Sequence, residues 1–185
     1  MRKEFPDQMR SVSMSGPFVS SFLSCLRNVP RSPTARHNGR MTHTFLFEPA
    51  VWIATGTFWR GDGEPLEAVG RTEIAHRDQC WLLSGKLKVL GAPPVEFVHA
   101  YLIEPPAADG NAMKWTFETE TFGKLAGTYA VVDRSIVSLF GCETSGFHGT
   151  EHLGQIDADH YATVGVLLQK DKMIYSWAMK LTREA

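Results

Sequence analysis

The sequence predicts an all-β protein, an antiparallel up-and-down β-barrel of about eight to ten strands. Three observations predict it. Runs of residues alternate between apolar and polar, the connections are short and turn-forming (RGDG at 60–63, GAPP at 91–94), and no helical stripe of apolar residues follows residue 41. Short connections favour antiparallel pairing of neighbours, and a sheet of many strands closes to remove its edges. A double-sheet sandwich is the alternative, but the chain has no long crossover loops of the Greek-key kind.

The alternation is clearest in two runs. In residues 112–119 (AMKWTFET) apolar and polar side chains alternate from Met113 onward, and in residues 172–182 the aromatic side chains of Tyr175 and Trp177 lie two positions apart. Residues two apart on a strand share a face, so each run has one buried face and one wetted face. The other predicted strands are 51–60, 66–76, 80–90, 95–104, 123–132, 135–142, 146–156 and 160–168, with 43–49 as a lead-in.

Composition and charge exclude several classes of protein. Hydrophobic residues make up 43% and charged residues 21% of the chain, which is typical of a globular protein. The net charge of −1 provides no basic field, so no nucleic-acid partner is predicted. No run approaches the ~18 apolar residues that a spanning helix needs, so no membrane span is predicted. Three cysteines give no disulfide framework and favour a cytoplasmic location.

Residues 1–40 differ from the rest of the chain. They carry seven basic residues against two acidic ones, seven serines and no steady period. The sequence therefore predicts a disordered basic leader or targeting segment at 1–40, followed by a single barrel domain over 41–185. An organelle transit peptide fits this composition and gives the alternative location; a weak secretory segment at 18–26 is a further interpretation. A third interpretation is that residues 1–40 are an extension upstream of the functional start of translation at Met41.

The stretch 52–63 (WIATGTFWRGDG) resembles the opening strand of calycin-type barrels, which include lipocalins, nitrobindins and fatty-acid-binding proteins. The matching positions are Gly56, Thr57, Trp59, Gly61 and Gly63. One extra residue, Phe58, precedes the tryptophan, which we expect to plug the closed end of the barrel. The resemblance implies a lipocalin-like barrel that holds a small apolar ligand. Nitrobindin-like barrels bind haem through a late histidine, for which His152 and His160 are the nearest candidates.

An H-x-x-E-H pattern at His148, Glu151 and His152 matches the signature of inverted zincins. That chemistry needs a helix, where residues i and i+4 lie side by side, whereas glycines and strand runs flank this pattern. On a strand the two histidines stand about 13 Å apart, so the sequence predicts no metal site. They share one face of the strand, which either lines the interior or faces water.

A barrel of about ten strands leaves room for a ligand, and aromatic residues make up 11% of the chain. His99 lies on an otherwise apolar face, either as a polar contact for the ligand or as a hydrogen-bonded structural residue. Arg71 could bind a ligand carboxylate; a solvated outer face, paired with Glu67 or Glu73, is favoured for it. The predicted ligand-binding residues are Arg71, His99, Tyr101, Trp115, Tyr129, His148, His152 and Trp177.

The function predicted from these residues is the binding of a small hydrophobic or aromatic molecule inside the barrel, with no cofactor, or with haem as the alternative. A second hypothesis is an enzyme on the same barrel, an isomerase or cyclase that uses a histidine or tyrosine as acid or base. A third is a scaffold that binds protein through a sheet face. The sequence assigns no catalytic residue, and a homodimer is compatible with it.

Overall fold

The structure, a computed structural model, describes residues 43–107 and 110–185. Ten strands make up the described chain: β1 (Ala50–Arg60), β2 (Leu66–His76), β3 (Trp81–Val89), β4 (Val95–Ile103), β5 (Ala112–Thr119), β6 (Gly123–Val132), β7 (Ser135–Gly141), β8 (Phe147–Gln155), β9 (His160–Gln169) and β10 (Lys172–Arg183). The expected leader at 1–40 lies outside the described residues. Residues 43–49 form turns and not a strand, so they are a lead-in only.

The ten strands form one closed antiparallel barrel in which every strand pairs with its neighbours in sequence and β1 pairs with β10. This confirms the predicted all-β, up-and-down architecture. The alternation of apolar and polar residues explains this architecture. Every second residue of a strand points inward and packs in the core, as Trp115 and Phe117 do on β5. No helix in the described part of the chain is long and apolar enough to cross a membrane.

One seam of the barrel is short. Strands β4 and β5 share only two register pairs, Leu102 with Thr116 and Ile103 with Trp115, whereas β3 and β4 pair along their whole length. Residues 95–101 of β4 therefore lack a ladder partner on the β5 side. The barrel wall opens between these two strands, towards the end that carries the β3–β4 and β5–β6 hairpins.

The lead-in segment covers the opposite end of the barrel. The hydroxyl of Tyr161, on β9, accepts hydrogen bonds from the backbone N–H groups of Thr44 and Phe45 at 3.0 and 3.2 Å. Phe45 then packs edge-on against Trp52 at a ring distance of 5.3 Å. Trp52 and Tyr161 are both fully buried, so this end is filled by side chains.

The expectation that Trp59 plugs the barrel is wrong. Trp59 is half-buried on the outer side of β1, while Phe58 is buried inside and Trp52 is the tryptophan in the closed end. The extra residue noted in the sequence motif is the cause. Because side chains alternate with a period of two, one inserted residue moves the next side chain to the opposite face of the strand.

Candidate functional site

A cavity of about 240 Å³ lies in the middle of the barrel. Its wall is mostly apolar and rich in aromatic rings, among them Phe58, Phe97, Trp115, Phe117, Phe140 and Trp177. The rings pack on one another: the ring of Tyr101 lies 4.9 Å from those of both Trp115 and Phe117. Such a wall is held in place by its own packing, so the cavity has a defined shape.

The cavity reaches the outer surface at the short seam. Val98 on β4 and Lys86 on β3 face outward in the strand alternation, yet both line the cavity. Val98 lies in the part of β4 that has no partner on β5. A molecule could therefore enter between these strands without unfolding the closed end. Lys86 forms an exposed ion pair with Glu96, at 3.0 Å, beside this opening.

Of the described carboxyl groups, that of Glu151 on β8 lines the cavity. Its Oε1 accepts hydrogen bonds from Thr163 Oγ1 on β9, at 3.0 Å, and from Trp177 Nε1 on β10, at 3.1 Å. Burial raises the pKa of Glu151, and these two hydrogen bonds act against that rise because they stabilise the carboxylate. Its Oε2 accepts no hydrogen bond from any described residue.

A glycine makes the Trp177–Glu151 contact sterically feasible. Gly165 on β9 is the register partner of both Glu151 and Trp177. A Cβ at this position would overlap the Trp177 indole, so only glycine lets the ring lie across β9 and reach the carboxylate. The same arrangement occurs at Trp115, whose ring lies over its register partner Gly127. Its Nε1 donates a hydrogen bond to Ser138 Oγ at 3.0 Å.

His99 faces the cavity from β4. Its Nε2 lies 3.2 Å from Thr72 Oγ1, and its ring is 5.7 Å from that of Tyr101. Burial lowers the pKa of His99 to about 4, so the imidazole is neutral near pH 7. A neutral imidazole can donate or accept a hydrogen bond, but it brings no positive charge to balance Glu151.

Two tyrosines complete the polar lining, Tyr101 on β4 and Tyr129 on β6. Burial raises the pKa of both phenols, and the nearby charge of Glu151 raises them further. Both therefore stay protonated at neutral pH and can donate a hydrogen bond. No hydrogen bond is among the causes of either pKa rise, so both hydroxyls are available to a ligand. The cavity thus presents two phenols, an imidazole and a carboxylate oxygen within an aromatic wall.

The structure brings together five of the predicted ligand-binding residues. His99, Tyr101, Trp115, Tyr129 and Trp177 all line the cavity. They come from β4, β5, β6 and β10, and each occupies the inward parity of its strand.

The other three predicted ligand-binding residues do not line the cavity. Arg71 lies on the outer face of β2, where its side chain is 56% exposed and pairs with Glu184 at 3.2 Å, not with Glu67 or Glu73. His148 and His152 are exposed on the outer face of β8, and His152 Nε2 lies 2.8 Å from Ser135 Oγ. Period-two alternation is the reason, since these residues have the outward parity of their strands.

Glu151 lines the cavity but was not among the predicted ligand-binding residues, because it was interpreted only as part of the zinc pattern. It lies between the two histidines of the pattern but on the opposite face, so the three side chains do not converge. Among the described residues, no group of three or more His, Cys, Asp or Glu side chains could hold a metal ion. The available signal was parity, because Glu151 shares its face with the apolar residues Phe147 and Leu153.

The histidines considered for haem lie outside the cavity. His152 is exposed on β8, and His160 is exposed at the start of β9, where its Nδ1 bonds to Asp157 at 2.8 Å. A haem held by either residue would therefore lie outside the barrel. Of the described histidines, His99 is the one that lines the cavity.

Comparison with known proteins identifies the fold. Neither a family model nor a curated protein matches the chain. The S-type phycobiliprotein lyase CPES from Guillardia theta superposes with a TM-score of 0.55 at 6% identity, covering 76% of this chain and 91% of the lyase. The two chains therefore share one fold. Rv2717c from M. tuberculosis matches with a TM-score of 0.49 at 13% identity, covering 74% of this chain and 92% of its own.

Proposed function

We propose that the protein binds one small hydrophobic or aromatic molecule in the barrel cavity. The observation that carries the proposal is the set of polar groups, two phenols, an imidazole and a carboxyl, that faces the cavity inside an aromatic wall. One hydrogen bond contributes about 0.5–1.5 kcal/mol net, so a ligand that pairs with these groups gains affinity from each. The wall supplies the apolar area, and the polar atoms supply orientation.

The size of the cavity limits the ligand. An apolar cavity of ~150 Å³ is enough to bind benzene. The cavity here has about 240 Å³, which suits a molecule of about two fused rings with a short substituent. A long-chain lipid would extend through the seam between β4 and β5.

Native mass spectrometry of the full chain, as purified, tests the proposal. We expect a bound small molecule or, for an empty barrel, binding of a neutral two-ring probe such as 2-naphthylethanol, measured by calorimetry. Leu83→Trp should abolish binding, because Leu83 is buried and lines the cavity. Leu82→Trp is the matched control, since Leu82 is the next residue and points outward. The proposal is contradicted if the purified protein carries no ligand and the probe binds with a Kd above about 1 mM, which is a binding free energy weaker than about 4 kcal/mol.

The position of Glu151 favours a second candidate, an isomerase or cyclase on the same barrel. A carboxyl with a raised pKa that faces protonated phenols is a suitable general acid or base. The test is whether a bound compound is converted during incubation and whether Glu151→Gln stops conversion while binding persists. A compound recovered unchanged from the wild-type protein supports the binding function alone. A cytoplasmic location, a homodimer and haem binding stay predictions.

A further inference from the structure

Glu151 is a cavity-facing acid that has no basic partner among the described residues. Its Oε1 is occupied by Thr163 and Trp177, and its Oε2 meets no donor among the described residues. Among the described residues, the cationic side chain in the cavity lining is that of Lys86, which has an outward position on β3 and pairs with Glu96. The interior therefore carries a carboxylate that no described Lys or Arg neutralises.

An unbalanced carboxylate in a low-dielectric interior is costly, by several kcal/mol. Proteins avoid this cost by pairing the charge, by protonating the group or by replacing it with an apolar residue. Here two side-chain donors hold the carboxylate through one oxygen and leave the other towards the cavity. A bound N–H group, above all a cationic one, would complete its hydrogen bonds and its charge balance.

The rest of the lining suits the same chemistry. Trp177 and Trp115 present aromatic rings to the cavity, and a cation is attracted to the face of such a ring. His99 is neutral and so does not repel a cation. A ligand carboxylate, in contrast, would bring a second negative charge beside Glu151, in a site where no described arginine can pair with it.

We propose that the cavity selects small aromatic molecules that carry an N–H donor, protonated amines in particular, and rejects carboxylates. The N–H group binds Glu151 Oε2 and the ring packs between Trp177 and Trp115. This inference rests on the proposed binding function and specifies its ligand class.

Three probes with the same ring separate charge from shape: 2-(2-naphthyl)ethylamine, 2-naphthylethanol and 2-naphthylacetate. Calorimetry on the full chain at neutral pH should give the order amine, alcohol, acetate, with at least tenfold between the first and the last. Glu151→Gln keeps an acceptor for Trp177 and Thr163 but removes the charge, so it should reduce the amine preference over the alcohol to less than threefold. Glu118→Gln is the control, because Glu118 is exposed on the outer face of β5.

The outcomes separate the two proposals. Binding of the alcohol, with an amine no tighter than the alcohol, overturns the ligand class and leaves the binding function standing. An amine preference that survives in Glu151→Gln overturns it as well. Failure of all three probes to bind the wild-type protein contradicts the binding function itself. If the Gln variant does not fold, the order of affinities measured on the wild-type protein decides, and an amine that binds no tighter than the alcohol overturns the ligand class.

Discussion

Acid should destabilise this protein through His99, which faces the cavity. His99 lines the cavity from β4, and burial lowers its pKa to about 4 from the ordinary value of 6.5. The unfolded chain therefore binds a proton on His99 between these two values while the folded protein does not. Stability rises with pH across this window and is lost as the pH falls through it.

The size of the effect follows from the two pKa values. Each unit of difference corresponds to 1.36 kcal/mol, so the full loss is roughly 3 kcal/mol, with about 2 kcal/mol already gone at about pH 5. Glu151 acts in the opposite direction, because its raised pKa makes the folded state bind a proton more tightly as the pH falls. The contribution of His99 must therefore be measured as a difference between two proteins.

The assay is denaturant unfolding of the wild-type protein and His99→Gln at a series of pH values between neutral and acidic. Glutamine does not titrate, and its amide can still reach Thr72 Oγ1, which lies 3.2 Å from His99 Nε2. We expect the wild-type protein to lose about 2 kcal/mol more than the variant between about pH 7.5 and about pH 5. Parallel pH profiles for the two proteins, within about 0.5 kcal/mol, would refute the reasoning, as would a His99 resonance that titrates near pH 6.5 by NMR.

Three further predictions concern the closed end, the Trp177 contact and the outer surface. Tyr161→Phe should lower the free energy of unfolding by about 1–2 kcal/mol, because two backbone N–H groups of the lead-in lose their acceptor; an unchanged denaturation midpoint would contradict it. Gly165→Ala should destabilise by about 1–3 kcal/mol and weaken the near-ultraviolet dichroism of Trp177, since the new Cβ overlaps the indole; a native spectrum would show that the strand yields. Arg71→Ala should change stability by less than about 0.5 kcal/mol and leave ligand binding unchanged, because its ion pair is exposed; a binding defect would place the guanidinium nearer the ligand than the structure does.

The architecture could be predicted from the sequence, because the formation of strands and turns depends on residues that are close together in the chain. Alternation placed a strand at 66–76 and another at 123–132, which are the bounds that β2 and β6 have in the structure. The connections carry residues that tolerate turn geometry, such as Gly61 and Asp133, both with φ of 53°. Short connections then leave little choice but antiparallel neighbours, and closure removes the edges.

The tertiary structure decided which face of each strand points inward and which side chains meet across the barrel. Alternation shows which residues of a strand share a face, but it does not always show which face points inward. Strand β8 has histidines on one face and a glutamate among apolar residues on the other, so the neighbouring strands decide which face lines the interior. Glu151 and Trp177 lie 26 positions apart and meet because Gly165 pairs with both. Register across three strands created that contact, and register is a property of the closed barrel that no single strand encodes.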